Sequence, residues 1–499
     1  VTDPLSASAL QLAAAVRAKQ ISPSELLEAH LARIEAVNGD LNAVVVPLYE
    51  QARARAAAQT EQLARADVES LPPLFGVPCT LKEFVGVEGQ PLTGGIEARR
   101  HTVAERNSPV VDRLLAAGAV PMGLTNAPEG GLWHETNNPI YGRTSNPWDL
   151  HRTPGGSSGG EGAILAAGGS PFGIGSDTGG SIRMPAAFCG IAGHKPSGGL
   201  VPTTGHFPEP PVKRLACLTV GPMARHASDL PTLLRLIAGP DGVDPQCRPL
   251  SLGDPDEVDW STVQVMVLED NGRSPVRPEV RAGVHRAALA LRERGATLTT
   301  FDLPDLSRAF DAWVALLSEG PASLDELVTE GGRAPLLRQL AAFPAGRARH
   351  TGGVLVLLFL ERMLQRLPTD LTELVDHAVQ LRDQLSAAIG PRGLLLHPPF
   401  PRTAPRHRGM VLRRPWDVGC TTLFNVGENP VTVVPVDTDA RGLPVGVQIV
   451  GARGNDHLTL AAGQALEDAF GGWQRPVEPR WGRSLPFGLR LHRRRLAAR

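Results

Sequence analysis

The sequence predicts an α/β protein, a single domain with a mixed central β-sheet covered by helices. Three observations carry that expectation. Helical and strand signals alternate along the chain, strand–helix–strand units occur twice, and a hairpin signal near the C-terminus adds antiparallel pairing to an otherwise parallel pattern. Nothing repeats at a fixed period. A chain of 499 residues with 42% hydrophobic content can bury a large core.

The elements follow in order. Ser22-Pro23-Ser24-Glu25 is a capping box with proline at the first helical position, and it opens an amphipathic helix through Ile34. Two helices thus precede the first expected strand, GVPCTLKEFVGV at 76–87. SPVVDRLLAAGA at 108–119 reads as a helix capped by Ser108 with Pro109 in its first turn, and VPMGL at 120–124 as the next strand. Residues 154–185 read as two Gly/Ser-rich loops around one short helical run. The strand–helix–strand pattern returns in VQVMVLED, RPEVRAGVHRAALALRERGA and TLTTFDLP. A helix from LTELVDHAVQLRDQLSAAIG then leads to the apolar LLLHPPFP. PVTVVPV and GVQIV, joined by a turn at 439–442, form the hairpin, and Asp456 is expected to cap the last helix. The domain is expected over 1–475. Residues 476–499 are expected as an extension ending in a mobile basic tail, GLRLHRRRLAAR.

Bulk properties exclude several classes of function. The formal charge of -1 offers no general attraction to nucleic acid or anionic membrane, so the expected partner is a small molecule. The most apolar run, GGVLVLLFLERML, meets Glu361 and Arg362 too early to span a bilayer, which takes about 20 residues. It is expected to bury on several sides, as a core helix or a pocket wall. Cys79, Cys189, Cys217, Cys247 and Cys420 are scattered without metal or redox spacing. They read as buried thiols, and the absence of a leader-like N-terminus adds to the expectation of a cytoplasmic protein.

The double loop, PGGSSGGEGAILAAGGSPFGIGSDTGGSIRMP, decides the chemistry. A phosphate-binding loop needs a lysine where Gly159-Gly160-Glu161 places an acid, and a dinucleotide turn does not call for serine. Nucleophilic catalysis remains, with glycines turning the backbone so that N–H groups face a developing oxyanion. A serine needs a base. Lysine occurs only at 19, 82, 195 and 213 among 50 basic residues, so arginine serves wherever a plain charge suffices. Lys82 lies in an apolar strand, where burial lowers a lysine pKa toward that of a base; pairing with Glu83 is the structural alternative. Residues 155–160 also match G-x-S-x-G twice, which leaves an α/β-hydrolase elbow on Ser157 or Ser158 as a rival. Such an elbow needs a later Asp and His, and His194, His350 and His397 read as structural.

GGSSGGEGA, GSDTGGSIRMPAAFCGIAGHKPS and GVPCTLKE resemble the amidase signature family, and the likeness extends through NPVTVVPVDTDARGLPVGVQIVGARGNDHLTLAAGQALE. The resemblance implies the amidase signature fold and a Ser-Ser-Lys triad. Ser181 would be the nucleophile, Ser157 the bridging serine after a cis peptide bond at Gly156, and Lys82 the general base. The backbone N–H groups of Thr178, Gly179, Gly180 and Ser181 would form the oxyanion hole. Ser158, Asp177 and Arg183 would support the loop, while Lys195 would be structural. It implies hydrolysis of a carboxylic amide through an acyl-enzyme, with no cofactor and no metal. The motifs are closest to the fatty acid amide hydrolase-like branch, hence an expected preference for apolar acyl or aryl groups. A homodimer is compatible with this picture. The alternative within the family is the A-type subunit of a tRNA-dependent amidotransferase, against which Glu161 and Met184 count; a noncatalytic scaffold is disfavoured by the intact Lys82, Ser157 and Ser181.

Overall fold

A computed structural model describes residues 3–209, 215–301, 306, 308–318, 323–364, 371–410 and 415–477. Thirteen strands occur in these residues, eleven of them in one sheet: β1 Val44–Pro47, β2 Pro78–Lys82, β3 Val120–Thr125, β6 Phe172–Asp177, β7 Ala192–Lys195, β8 Thr219–Ala224, β9 Gln264–Val267, β10 Thr297–Leu298, β11 Gly393–His397, β12 Val431–Thr438 and β13 Pro444–Gly451. The short pair β4 Asn137–Asn138 and β5 Gly142–Arg143 stands apart. The sheet order is β1-β3-β2-β6-β8-β7-β12-β13-β11-β9-β10. Strands β2, β3 and β6 run parallel, as do β9, β10 and β11, while β6, β8, β7, β12 and β13 join in antiparallel pairs. The sheet is mixed, as expected, because parallel crossover units flank an antiparallel centre.

Both crossover units form. The helix Pro109–Ala116, capped by the Ser108 hydroxyl, connects β2 to β3, and the helix Pro278–Glu293 connects β9 to β10. The capping box at Ser22 is present, and its helix continues past Ile34 to Leu41, where Asn42 turns left-handed at φ 52°. The hairpin of β12 and β13 closes through Gly442 N–H to Asp439 O at 2.8 Å.

Besides the short pair β4 and β5, four strands of the large sheet lie where none was expected: β1, β6, β7 and β8. Of these β6, FGIGSD, matters most, since it runs through what read as loop. Glycine masks the strand pattern there because the space beside it is already occupied. A Cβ on Gly173 would sit 2.1 Å from Glu161 Oε2, and one on Gly175 2.9 Å from Ser158 Oγ. Asp456 is not a helix cap either. It is the first residue of the helix Asp456–Phe470, after Asn455, and its carboxylate reaches away to Ser197 and His194.

The apolar run at 353–364 forms the helix Gly352–Leu364, with Val354, Leu355 and Leu358 buried. Contrary to expectation, its other face is open: Phe359 is 48% and Met363 51% exposed. No helix among the described residues is long and apolar enough to cross a membrane. All five cysteines are buried, and none is in a disulfide. The basic tail lies outside the described residues.

Candidate active site

Two neighbouring strands of the sheet and one turn meet at one point. The parallel pair β2 and β6 brings Lys82, the last residue of β2, beside Ser176, the penultimate residue of β6. Between them in sequence lies the turn 154–158, which enters the helix Gly159–Ala166. Its Gly156–Ser157 peptide bond is cis. Ser158 ties this turn to the others: its amide donates to Ser181 O at 3.1 Å, and its hydroxyl lies 3.2 Å from both the amide nitrogen and the carbonyl oxygen of Ser176.

Lys82 is fully buried and points at hydroxyls. Its Nζ is 2.6 Å from Ser157 Oγ and 2.9 Å from Ser176 Oγ. Burial pushes its pKa down to about 7, although Asp177, Glu161 and Glu83 pull the other way. The ion pair with Glu83 is not formed. Successive strand residues face opposite sides, and Glu83 accepts instead from the Thr93 amide at 2.6 Å and the Gly94 amide at 3.0 Å. Glu161, the acid that argued against a phosphate, accepts from Thr80 and Thr125 hydroxyls at 2.7 and 2.9 Å, and burial raises its pKa to about 8.

After β6 the chain turns through Asp177 to Ser181. Gly180 takes φ +111°, a conformation closed to other residues, and a Cβ there would meet Thr421 Oγ1 at 2.4 Å. Asp177 organises this turn, accepting from the amides of Gly180 at 2.7 Å and Ile182 at 3.0 Å. Arg183 grips the same carboxylate from the side, at 2.9 and 3.0 Å. Burial alone would raise the Asp177 pKa, but the Arg183 guanidinium holds it far below the usual carboxylate range. Arg183 also donates to Thr421 O at 2.9 Å and Asn425 Oδ1 at 2.5 Å, so the pair anchors the turn to the helix Gly419–Val426.

The amides of Thr178, Gly179 and Ser181 have no intramolecular partner among the described residues. Of the four donors expected from the sequence, Gly180 is therefore the exception, since its N–H is committed to holding the turn. Ser157 and Ser181 keep 5% and 6% of their surface exposed, whereas Lys82 and Ser158 are fully buried. The Trp313 indole packs beside Gly179, and the Trp133 backbone carbonyl lies beside Gly156. A Cβ on Gly179 would lie 2.7 Å from Trp313 Cζ2, and one on Gly156 2.8 Å from Trp133 O. The helix Gly352–Leu364 abuts Trp133 through Gly353, where a Cβ would meet the indole at 2.5 Å.

The structure brings Lys82, Ser157, Ser158, Thr178, Gly179, Gly180, Ser181, Asp177 and Arg183 together. It adds Ser176, Thr421, Asn425 and His206, which sequence reasoning missed. Ser176 had a signal, its place next to Asp177 in the Gly/Ser-rich loop; the others come from distant segments. The hydroxyls of Ser157 and Ser158 meet Lys82 and the Ser176 backbone rather than a histidine, unlike the arrangement of an α/β-hydrolase elbow. Among the described residues no cluster of three or more His, Cys, Asp or Glu side chains is arranged to hold a metal ion.

Comparison with known proteins identifies the family. Fatty-acid amide hydrolase 2 of Homo sapiens is 36% identical over 498 residues, covering 95% of this chain and 91% of its own length. A glutamyl-tRNA(Gln) amidotransferase subunit of Synechococcus sp. (strain WH7803) is 34% identical over 470 residues, covering 90% of this chain and 94% of its own. The crystal structure of a bacterial aryl acylamidase of the amidase signature family superposes with a TM-score of 0.76 at 27% identity, covering 93% of this chain and 96% of that one. The amidase family model matches residues 25–460, which include every side chain of the site described above. The chain belongs to the amidase family.

Proposed function

We propose that this amidase cleaves the C–N bond of a carboxylic amide through an acyl-enzyme on Ser181, with Lys82 as the base and Ser157 as the proton relay. The observation that carries the proposal is a buried lysine amine, shifted toward its neutral form, 2.6 Å from a serine hydroxyl in a loop bonded to the nucleophile turn. Lys82 takes the Ser157 proton while Ser157 takes that of Ser181, and Ser181 Oγ bonds to the carbonyl carbon. The amides of Thr178, Gly179 and Ser181 hold the resulting oxyanion. Ser157 then returns the proton to the leaving nitrogen, the C–N bond breaks, and water releases the acid by the reverse proton path.

The Trp313 indole, packed beside Gly179 and donating to Thr178 O at 2.8 Å, favours apolar acyl or aryl groups, in keeping with the names of the fatty-acid amide hydrolase and aryl acylamidase relatives. The amidotransferase alternative rests on the glutamyl-tRNA(Gln) amidotransferase relatives and requires partner subunits.

A fluorophosphonate probe tests the nucleophile. Labelling is expected at Ser181, with both labelling and hydrolysis of acyl p-nitroanilides lost in Ser181→Ala. Labelling at Ser157 or Ser158 that persists in that variant would overturn the assignment. Activity of the purified single chain on such anilides, improving as methylenes are added by up to about 0.8 kcal/mol each, supports the hydrolase with an apolar pocket; activity only after copurification with other subunits and tRNA supports the alternative.

A further inference from the structure

Lys82 has a second hydroxyl neighbour, Ser176, that the acyl-transfer steps do not use. Ser176 Oγ lies 2.9 Å from Lys82 Nζ and 2.8 Å from His206 Nε2. The other ring nitrogen of His206, Nδ1, is 3.1 Å from Pro208 O. A carbonyl oxygen only accepts, so Nδ1 carries the ring hydrogen. Burial, with the Lys82 charge adding to it, lowers the His206 pKa to about 3, which keeps the ring neutral. Nε2 is then a bare acceptor, and the Ser176 hydroxyl donates to it.

The orientation of that one hydroxyl governs the lysine. A neutral amine has two N–H donors and one lone pair. With its proton given to His206, Ser176 offers Lys82 only lone pairs, so the lysine spends an N–H on it and keeps its own lone pair for Ser157 at 2.6 Å. A Ser176 hydroxyl free to rotate would donate into that lone pair and block it. We infer that His206 is a positioning residue for the base, holding the Ser176 proton away from the Lys82 lone pair.

The support for this role is rigid. The loop bearing His206 hangs from the residues that follow β2, the strand that ends in Lys82: Phe207 N–H donates to Phe84 O at 2.8 Å and Gly86 N–H to Gly205 O at 2.9 Å. The imidazole packs edge-on against Phe84 with ring centres 5.9 Å apart, and Lys82 Nζ sits 4.6 Å from the same ring. The charged groups acting on Lys82 are Asp177, Glu161 and Glu83; the one acting on His206 is Lys82.

The inference rests on Lys82 being the base, and the test separates the two. Acyl p-nitroanilide hydrolysis is measured across pH for wild type, Lys82→Ala, His206→Phe, His206→Gln and the double variant Ser176→Ala/His206→Phe. In His206→Phe, kcat is expected to fall about tenfold with KM within about twofold, and the acidic limb of kcat/KM to move to lower pH, because the rotated hydroxyl stabilises the neutral amine. A merely loosened site would admit water and move the limb to higher pH. His206→Gln supplies an amide oxygen to Ser176 and an N–H to Pro208, so activity within about threefold of wild type is expected. The double variant should outperform His206→Phe, having no hydroxyl to block the lysine. Unchanged kinetics in His206→Phe, a limb shifted upward, or no recovery in the double variant overturns the inference. Full activity in Lys82→Ala overturns the base assignment and the inference with it, whereas loss there beside an unaffected His206→Phe removes the inference alone. Should His206→Phe not fold, 15N-histidine spectra of the wild type decide, with the His206 signals identified by their absence in His206→Gln: protonated Nδ1 and bare Nε2 are expected, and a proton on Nε2 refutes the role.

Discussion

Two buried polar clusters sit on the same sheet, and by composition the wrong one looks catalytic. His194 of β7 lies 3.1 Å from Asp456 and 2.9 Å from Thr432 of β12, with the Ser197 hydroxyl donating to Asp456 at 2.5 Å. A histidine, an aspartate and two hydroxyls are the parts of a nucleophilic triad. Yet both ring nitrogens are taken, Ser197 bonds the carboxylate directly and accepts from the Gly454 amide at 2.9 Å, and Ser197 and His194 are fully buried. Nothing in that cluster is left to react. Around Lys82 the parts are plainer, an amine and serines, but the turn from Asp177 to Ser181 keeps three amides open, and Ser157 and Ser181 are not fully buried. Chemistry belongs to groups that folding positions without satisfying them; a fully bonded cluster is a structural joint.

The largest effects should break this contrast on its reactive side. Lys82→Ala and Ser181→Ala are each expected to lower kcat/KM at least about a thousandfold, and Lys82→Arg nearly as much, since arginine keeps the charge but cannot accept the proton. Urea unfolding should show Ser181→Ala within about 1 kcal/mol of wild type. On the other side, Asp456→Ala strips the acceptor from Ser197 and His194 and should cost about 3 to 5 kcal/mol of stability. Kinetics of the folded fraction should change by no more than about twofold; a thousandfold loss there would erase the distinction between the clusters.

The pH response sharpens the comparison further. Lys82, its pKa depressed to about 7 by burial, should give kcat/KM an acidic limb near that value, with activity rising as the amine loses its proton. The same depression means that the unfolded chain binds the extra proton between about 7 and 10.5, so Lys82 contributes stability that grows with pH across that window. His194 is also depressed by burial, below its ordinary 6.5, so its contribution is full above that value and lost as pH falls and the unfolded chain takes up the proton. Asp456, where hydrogen bonds from His194 and Ser197 outweigh burial, adds a second loss at lower pH. Urea midpoints at successive pH values should therefore fall in acid for the wild type, and less steeply in Asp456→Ala.

The smallest effects lie outside both clusters, on the two faces of the helix Gly352–Leu364. Leu358→Ala removes a buried side chain and should cost about 2 to 4 kcal/mol, whereas Phe359→Ser, on the open face, should stay within about 0.5 kcal/mol. Equal losses would mean that this face is covered.

Much of this was legible in the chain because it is local. Ser22 and Ser108 announce their helices by side-chain chemistry within one turn, and the β12–β13 hairpin is marked by two apolar runs around a tight turn. Lys82 could be singled out because arginine replaces lysine almost everywhere else. Strand β6 was hidden because glycines at 173 and 175 answer to Glu161, Met223 and Ser158, none of which is a sequence neighbour. The apolar helix misled for the opposite reason: its composition speaks of burial, but which face meets Trp133 and which meets solvent depends on neighbours far along the chain.

By itself the sequence determined the mixed α/β class, the helix starts capped by Ser22 and Ser108, the Gly/Ser-rich turns and the lone lysine in an apolar strand. Those are properties of residue type and short spacing. Only the tertiary structure decided that Lys82 meets Ser157 and Ser176 instead of Glu83, that Gly180 gives its amide to Asp177, that Asp456 holds His194 instead of a helix end, and that His206 faces Ser176. Each of these is a choice of partner among chemically equivalent candidates. The choice follows from which strands pair and how closely they approach, and pairing across the sheet joins residues that spacing along the chain cannot relate.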